Sequence, residues 1–224
     1  MTLSVQETIA QRKAQGHGTL VAYLPVGYPD LATSVEASIA VLNSGADILE
    51  LGVPYSDPVM DGTVIARATQ TALERGFKLR HVFPAVAEIV KATGKPVLVM
   101  TYWNPVVQYG VEKFATDLKA AGGAGLITPD LIPDEAADWL DISERLELER
   151  VFLAAPSSSD SRLHVAGEQS KGFVYAVSTM GITGTRIDVD SAARGLVERI
   201  YAQGAEATCV GLGISTAEHV RDVV

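Results

Sequence analysis

A lone glutamate in an apolar run is the first residue whose type and position suggest chemistry. Glu50 stands in residues 47–51 (DILEL), where every residue between Asp47 and the end of the run is otherwise aliphatic. An ionised carboxylate is expensive to bury without a partner. Burial raises its pKa, which suits a group that must both give and take a proton near neutral pH. Eleven residues further on lies Asp61, with Asp57 between them, in a loop rich in Pro and Gly (Pro54, Pro58, Gly62). Carboxyls in unlike surroundings can divide acid and electrostatic roles. A buried Arg or Lys paired with Glu50 is the structural alternative, and spacing alone leaves the two readings balanced.

Two glycine-bearing segments form a second candidate feature. They are residues 178–184 (STMGITG) and 211–215 (GLGIS), each after an apolar run. Glycines at strand ends, followed by a helix start, let backbone amides approach a phosphate. Glycine also ends strands for steric reasons alone. The four histidines, His17, His81, His164 and His219, show no metal-ligand spacing, so no metal site is expected.

The elements that must position these residues follow one rhythm, an apolar run, then Gly or Pro, then helical spacing. Strands are expected at residues 19–24 (TLVAYL), 47–51, 97–101 (VLVMT), 125–128 (GLIT), 150–154 (RVFLA), 173–177 (FVYAV) and 208–212 (TCVGL). Helices are expected at 31–43, capped by Asp30, and at 64–75, 80–92, 111–121, 134–146, 159–169 and 191–202. Ser215 and Glu218 have capping-box spacing and open one more. Continuous apolar strands alternating with helices imply a parallel sheet covered on both faces. The first strand-to-helix turn, residues 25–30 (PVGYPD), lacks the G-x-G-x-x-G of an open dinucleotide-binding sheet. Polar residues and glycines after nearly every strand suit the loop-built mouth of an α/β fold of the TIM (β/α)8 barrel type instead. Seven strands are countable, so the eighth β/α unit is apparently missing from residues 1–224, read as one barrel domain. The first and last strands would then be unpaired edges.

The totals exclude several classes. A net charge of −9 disfavours nucleic acid. No run approaches the length of a membrane span, and the first 15 residues lack the apolar centre of a secretory signal. The single cysteine, Cys209, cannot form an internal disulfide. A cytoplasmic protein is expected.

The segment ELGVPYSDPVMDG (50–62) closely resembles the signature of tryptophan synthase α-subunits. Further matches run in the family's order: YLPVGYPD (23–30), MTYWNP (100–105), LITPDLIPDEA (126–136), FVYAVSTMGITG (173–184) and GLGIS (211–215). The long second and third forms resemble the actinobacterial branch. The resemblance implies cleavage of indole-3-glycerol phosphate to indole and glyceraldehyde 3-phosphate, a carbon–carbon lyase reaction. It implies Glu50 as the proton carrier and Asp61 as the carboxylate that faces the indole N–H. Tyr175 would be the active-site tyrosine near Glu50, and Tyr23 and Tyr102 would line the indole pocket. Thr183 and Gly184 would belong to a closing loop, and Gly184 and Gly213 would supply phosphate-binding amides, with Gly211 beside them also read as substrate-binding. Asp57, Pro58 and Asn104 would face a β-subunit in an α2β2 assembly. No cofactor is implied for this chain, and pyridoxal phosphate is expected only in that partner.

Two departures stand out. Thr63-Val64 replaces the proline, often followed by threonine, that the family places after Asp61-Gly62, which should loosen the Asp61 loop. The missing eighth unit would, in the family, complete the phosphate site. A partial record of a full enzyme accounts for this better than a genuinely short product, because strand patterning holds to the last residue. A stand-alone lyase, and a non-catalytic or impaired subunit that only activates β, are the competing functions.

Overall fold

Alternation of side chains along each strand decides what faces the barrel interior and what faces the helices. The computed structural model describes residues 4–177, 190–211 and 216–223. The chain opens with α1 (Val5–Ala14), β1 (Val21–Pro25), α2 (Leu31–Asn43), β2 (Ile48–Gly52), α3 (Thr63–Glu74) and α4 (Val82–Thr93). It continues through β3 (Val97–Met100), α5 (Trp103–Tyr109), α6 (Val111–Ala120), β4 (Gly125–Ile127), α7 (Ala137–Arg145), β5 (Glu149–Val151) and β6 (Leu153–Ala154). Then come α8 (Asp160–Gln169), β7 (Val174–Val177), α9 (Asp190–Ala202), β8 (Thr208–Gly211) and α10 (Ala217–Val223).

Every strand pairing is parallel, in the orders β1-β2-β3-β4-β5 and β6-β7-β8. The expected strand at 150–154 is interrupted at Phe152. There the ladder of β5 gives way to that of β6, and the Phe152 carbonyl accepts from the Tyr175 amide at 3.0 Å. The eight segments therefore occupy the seven expected strand positions. Among the described residues β1 and β8 are not paired with each other.

The two faces are cleanly sorted. Leu49, Leu51, Val97, Val99 and Leu126 pack into the layer beneath the helices, with Val35 and Leu42 of α2 and Val86 and Ile89 of α4. Ile48, Leu98, Ile127, Val151 and Phe173 point the other way and fill the interior, with Val21, Met100, Leu153, Tyr175 and Cys209 packed against them. Each set alternates with the other along its strand. A third cluster, Val174 and Ala176 against Leu196 and Ile200, seats α9 on β7.

Asp30 caps α2 as its sequence suggests, its carboxylate accepting from the Thr33 amide at 2.9 Å. Two helices are additional to those expected. One is α1, whose Val5 and Ile9 join the interior cluster and so cover the N-terminal end of the strands. Its low apolar content hides it, although Ser4 and Glu7 form a reciprocal capping box. The other is α5, whose Pro105 falls in the first turn, where proline is tolerated. The expected helix at 134–146 starts later, at Ala137, after a 3-10 turn over Pro133–Glu135.

The Glu149 carboxylate on β5 accepts from the amides of Val5 at 2.8 Å and Gln6 at 2.9 Å, satisfying two of the donors that a helix start leaves open. Replacing Glu149 by Ala therefore lowers folding stability by about 1–3 kcal/mol, read as a reduced urea midpoint with an unchanged slope. An unmoved midpoint would show that α1 is held by its apolar contacts alone.

Candidate active site

Ile48 faces inward on β2, so Glu50, two residues on, must as well. Its register partners are Tyr23 on β1 and Leu98 on β3. The side chain is buried at 6% exposure. Among the described residues no cation pairs with it, which removes the buried Arg or Lys of the alternative reading. Burial alone pushes its carboxyl up from 4.5 to about 7. An ionised carboxylate in that setting has lost its hydration without compensation, so the proton stays on.

Asp61 lies on the loop between β2 and α3 and is held quite differently. The Tyr102 hydroxyl donates to its Oδ1 at 3.0 Å. The same hydroxyl accepts from the Met60 amide at 3.0 Å. With the acceptor side taken by Met60, the phenolic proton is directed at Asp61. Burial raises the Asp61 pKa above the usual carboxylate value, and the bond from Tyr102 opposes that rise. Tyr102 itself is 3% exposed, and burial pushes its hydroxyl up to about 12. Its ring lies 5.3 Å from that of Tyr55, whose hydroxyl accepts from Asn104 Nδ2 at 3.1 Å.

Glu50, Asp61, Tyr23 and Tyr175 all line one cavity of about 1310 Å³, with Met100, Ile127 and Leu153 among its apolar walls. This exceeds the roughly 300–1,000 Å³ of ordinary ligand pockets, and residues of both β1 and β8 border it. Tyr23 is raised well above an ordinary phenol, first by burial, then by the charges of Asp61 and Glu50. A Cβ on Gly52 would collide with the Tyr23 hydroxyl, and one on Gly211 with that of Tyr175. Both glycines thus let a tyrosine from the preceding strand lie across them. Gly211 accordingly has a steric reason to be glycine, independent of any phosphate.

The sequence-expected residues are distributed as follows. Glu50, Asp61, Tyr23, Tyr175 and Gly211 border the cavity, and Tyr102 reaches it through Asp61. Asp57 is exposed on the loop after β2, with Pro58 partly covered beside it, and Asn104 is exposed in the first turn of α5. Thr183, Gly184 and Gly213, with most of the two glycine-bearing segments, lie outside the described residues. Local reading missed Met60 and Asp130. Neither carries a sequence signal, since each acts across more than 25 positions of chain. Cys209 also borders the cavity, its thiol pushed up to about 12 by burial and then by Glu50. Among the described residues no group of three His, Cys, Asp or Glu could hold a metal ion.

Comparison with known proteins identifies the family. The family model for the tryptophan synthase alpha chain matches residues 9–224. The alpha chain of Leifsonia xyli is 62% identical over 220 residues, covering 98% of this chain and 84% of its own length. That of Mycobacterium tuberculosis is 56% identical over 202 residues, covering 90% and 74%. Among solved structures, M. tuberculosis tryptophan synthase superposes with a TM-score of 0.89 at 50% identity, over 96% of this chain and 82% of that one. The tryptophan synthase a2b2 complex of Pyrococcus furiosus gives 0.83 at 37% identity, over 91% and 82%. By its matched length and its identity to these relatives, the chain belongs to the tryptophan synthase alpha chain family.

Proposed function

We propose that Glu50 and Asp61 carry the two carboxyl roles in the reaction of this family, the retro-aldol cleavage of indole-3-glycerol phosphate to indole and glyceraldehyde 3-phosphate. The observation that carries this reading is a carboxyl at about 7, buried on β2 without a counter-charge, facing the same cavity as a second carboxyl with a different environment.

The reaction needs a proton delivered to carbon. Protonated Glu50 donates to indole C3, and the ring becomes an indoleninium cation. The bond between C3 and the side-chain carbon then breaks, its electron pair returning to the ring. The hydroxyl on that side-chain carbon becomes the aldehyde and releases its proton to the Glu50 carboxylate, which is restored for the next cycle. Asp61, ionised and aimed by Tyr102, accepts the indole N–H and stabilises the cation as it forms. Tyr23 and Tyr175 supply aromatic walls for a planar bicycle, and Tyr102 acts on it through Asp61. The amides of Gly184, Gly211 and Gly213 are assigned to the phosphate, and Thr183 to the segment covering the substrate. These steps call for no metal or organic cofactor in this chain.

The solved P. furiosus relative is an a2b2 complex. We assign the docking of a β-subunit, in which pyridoxal phosphate is expected, to the face bearing Asp57, Pro58 and Asn104. Val59, next to Pro58, is 71% exposed and adds an apolar contact there. Among the described residues no helix is long and apolar enough to cross a membrane. A cytoplasmic location fits the small anionic substrate.

Glu50→Gln should lower kcat by about 10²–10⁴ with little change in KM, in an assay of indole release. Asp61→Asn should lower it by about 10²–10³. Glu50 must start protonated and Asp61 ionised, so the rate falls as pH rises through about 7 and falls again at acid pH as Asp61 takes a proton. A rate unaffected by Glu50→Gln would leave only a binding role.

Stability supplies an independent check. Between 4.5 and about 7 the folded state keeps a proton that the unfolded chain releases, so Glu50 makes folding less favourable as pH rises through that window. Glu50→Gln should therefore be more stable than the parent at pH 8, by a margin that disappears near pH 4. At the partner face, Val59→Asp should weaken binding of the β-subunit at least about tenfold, the effect of about 1.4 kcal/mol, without changing the thermal midpoint of the free chain. Unchanged binding would move the interface elsewhere.

A further inference from the structure

We propose that Asp130 is a positioning residue for Asp61, acting through Tyr102. The inference deepens the reading above and rests on Asp61 serving the indole N–H. Asp130 lies on the loop after β4, and both of its carboxylate oxygens accept from the Trp103 amide, at 2.9 and 3.1 Å. Trp103 is the first residue of α5. Tyr102 occupies the N-cap position in an extended conformation, φ −69° and ψ 155°, and its side chain makes no cap bond. Pro105, the third helical residue, has no amide hydrogen to offer. The start of α5 is therefore tied down from outside, by a carboxylate 27 positions away.

The tie matters because of what leaves the chain at the same point. The Tyr102 ring packs on Tyr55, and its hydroxyl joins the Met60 amide to the Asp61 carboxylate, both at 3.0 Å. A small rotation of the backbone at residues 102–103 is amplified at the far end of a phenol. Without Asp130 the Trp103 amide turns to water, residue 102 loses its anchor, and the bond that orients Asp61 lengthens. Three loops, those after β2, β3 and β4, are linked in series: Asp130 to Trp103 by backbone, Tyr102 to Asp61 by side chain. Asp130 is exposed and borders no part of the cavity. It reaches the reaction only by this route.

A double-mutant cycle tests the route, using the chain with its β-subunit and assaying indole release from indole-3-glycerol phosphate. Asp130→Ala should lower kcat about fivefold, the worth of a typical lost helix cap, with KM nearly unchanged. In a Tyr102→Phe background the same substitution should cost less than about twofold. Asp130→Asn, which keeps one acceptor oxygen, should recover most of the loss. The acid limb of the kcat profile should also move to higher pH in Asp130→Ala, because Asp61 loses a donor that favours its ionised form. Among the described residues Tyr102 and Tyr23 are coupled to Asp61 and Glu50 lines the same cavity, and of these only Tyr102 is disturbed by this substitution. Equal losses in both backgrounds, no loss in the parent, or an unmoved acid limb would each overturn the proposal. Should Tyr102→Phe be too slow to measure, the position of the limb decides. Full activity in Asp61→Asn would instead overturn the functional reading itself, so the two failures are distinguishable.

Discussion

A carboxyl group buried without a counter-charge sets the terms for the rest of the molecule. Glu50 faces inward because Ile48 does, and side chains on a strand alternate. A shift of one residue in β2 would turn Glu50 towards α2 and α4 and place Leu49 and Leu51 in the cavity. Parallel pairing with β1 and β3, at Tyr23 and Leu98, holds the register. The aliphatic layer on the other face makes any slip costly, since Leu49 and Leu51 are fully buried there. The stability of the barrel wall and the protonation of Glu50 are thus consequences of the same alternation.

Asp61 shows how a second carboxyl can be given a different character a short distance along the chain. Desolvation pushes both groups the same way. Only Asp61 receives a hydrogen bond that favours its ionised form, and that bond comes from a tyrosine whose proton has been directed by a backbone amide. One carboxyl is suited to carrying a proton and the other to holding charge. The division is made by surroundings, since the two side chains differ by a single methylene.

Much of this was legible in the chain because it depends on local pattern. The seven strand positions, the Asp30 cap and the inward Glu50 all follow from periodicity and residue type. The family resemblance singled out Asp61, rather than Asp57, as the second catalytic carboxyl. Other features were hidden for physical reasons. In α1 two apolar residues in a polar stretch gave too weak a stripe, and its anchor, Glu149, is 144 positions away. No helix was expected at α5, a short element whose Pro105 is tolerated because it sits in the permissive first turn. Thr63-Val64, in place of proline, pointed to a looser Asp61 loop. In the structure Gly62 starts α3 with no side-chain cap, and the loop is held instead by Tyr102, 41 positions from Asp61. Contacts of that range have no signature in a single sequence.

The central claim is that Glu50 holds its proton near neutral pH in the resting protein. It is tested most directly by carboxyl-carbon NMR of protein labelled at glutamate, with the resonance assigned by its loss in Glu50→Gln. A titration midpoint near 7 is the result this account predicts. A midpoint at or below the ordinary 4.5 would mean that the group is ionised and compensated, and would contradict it.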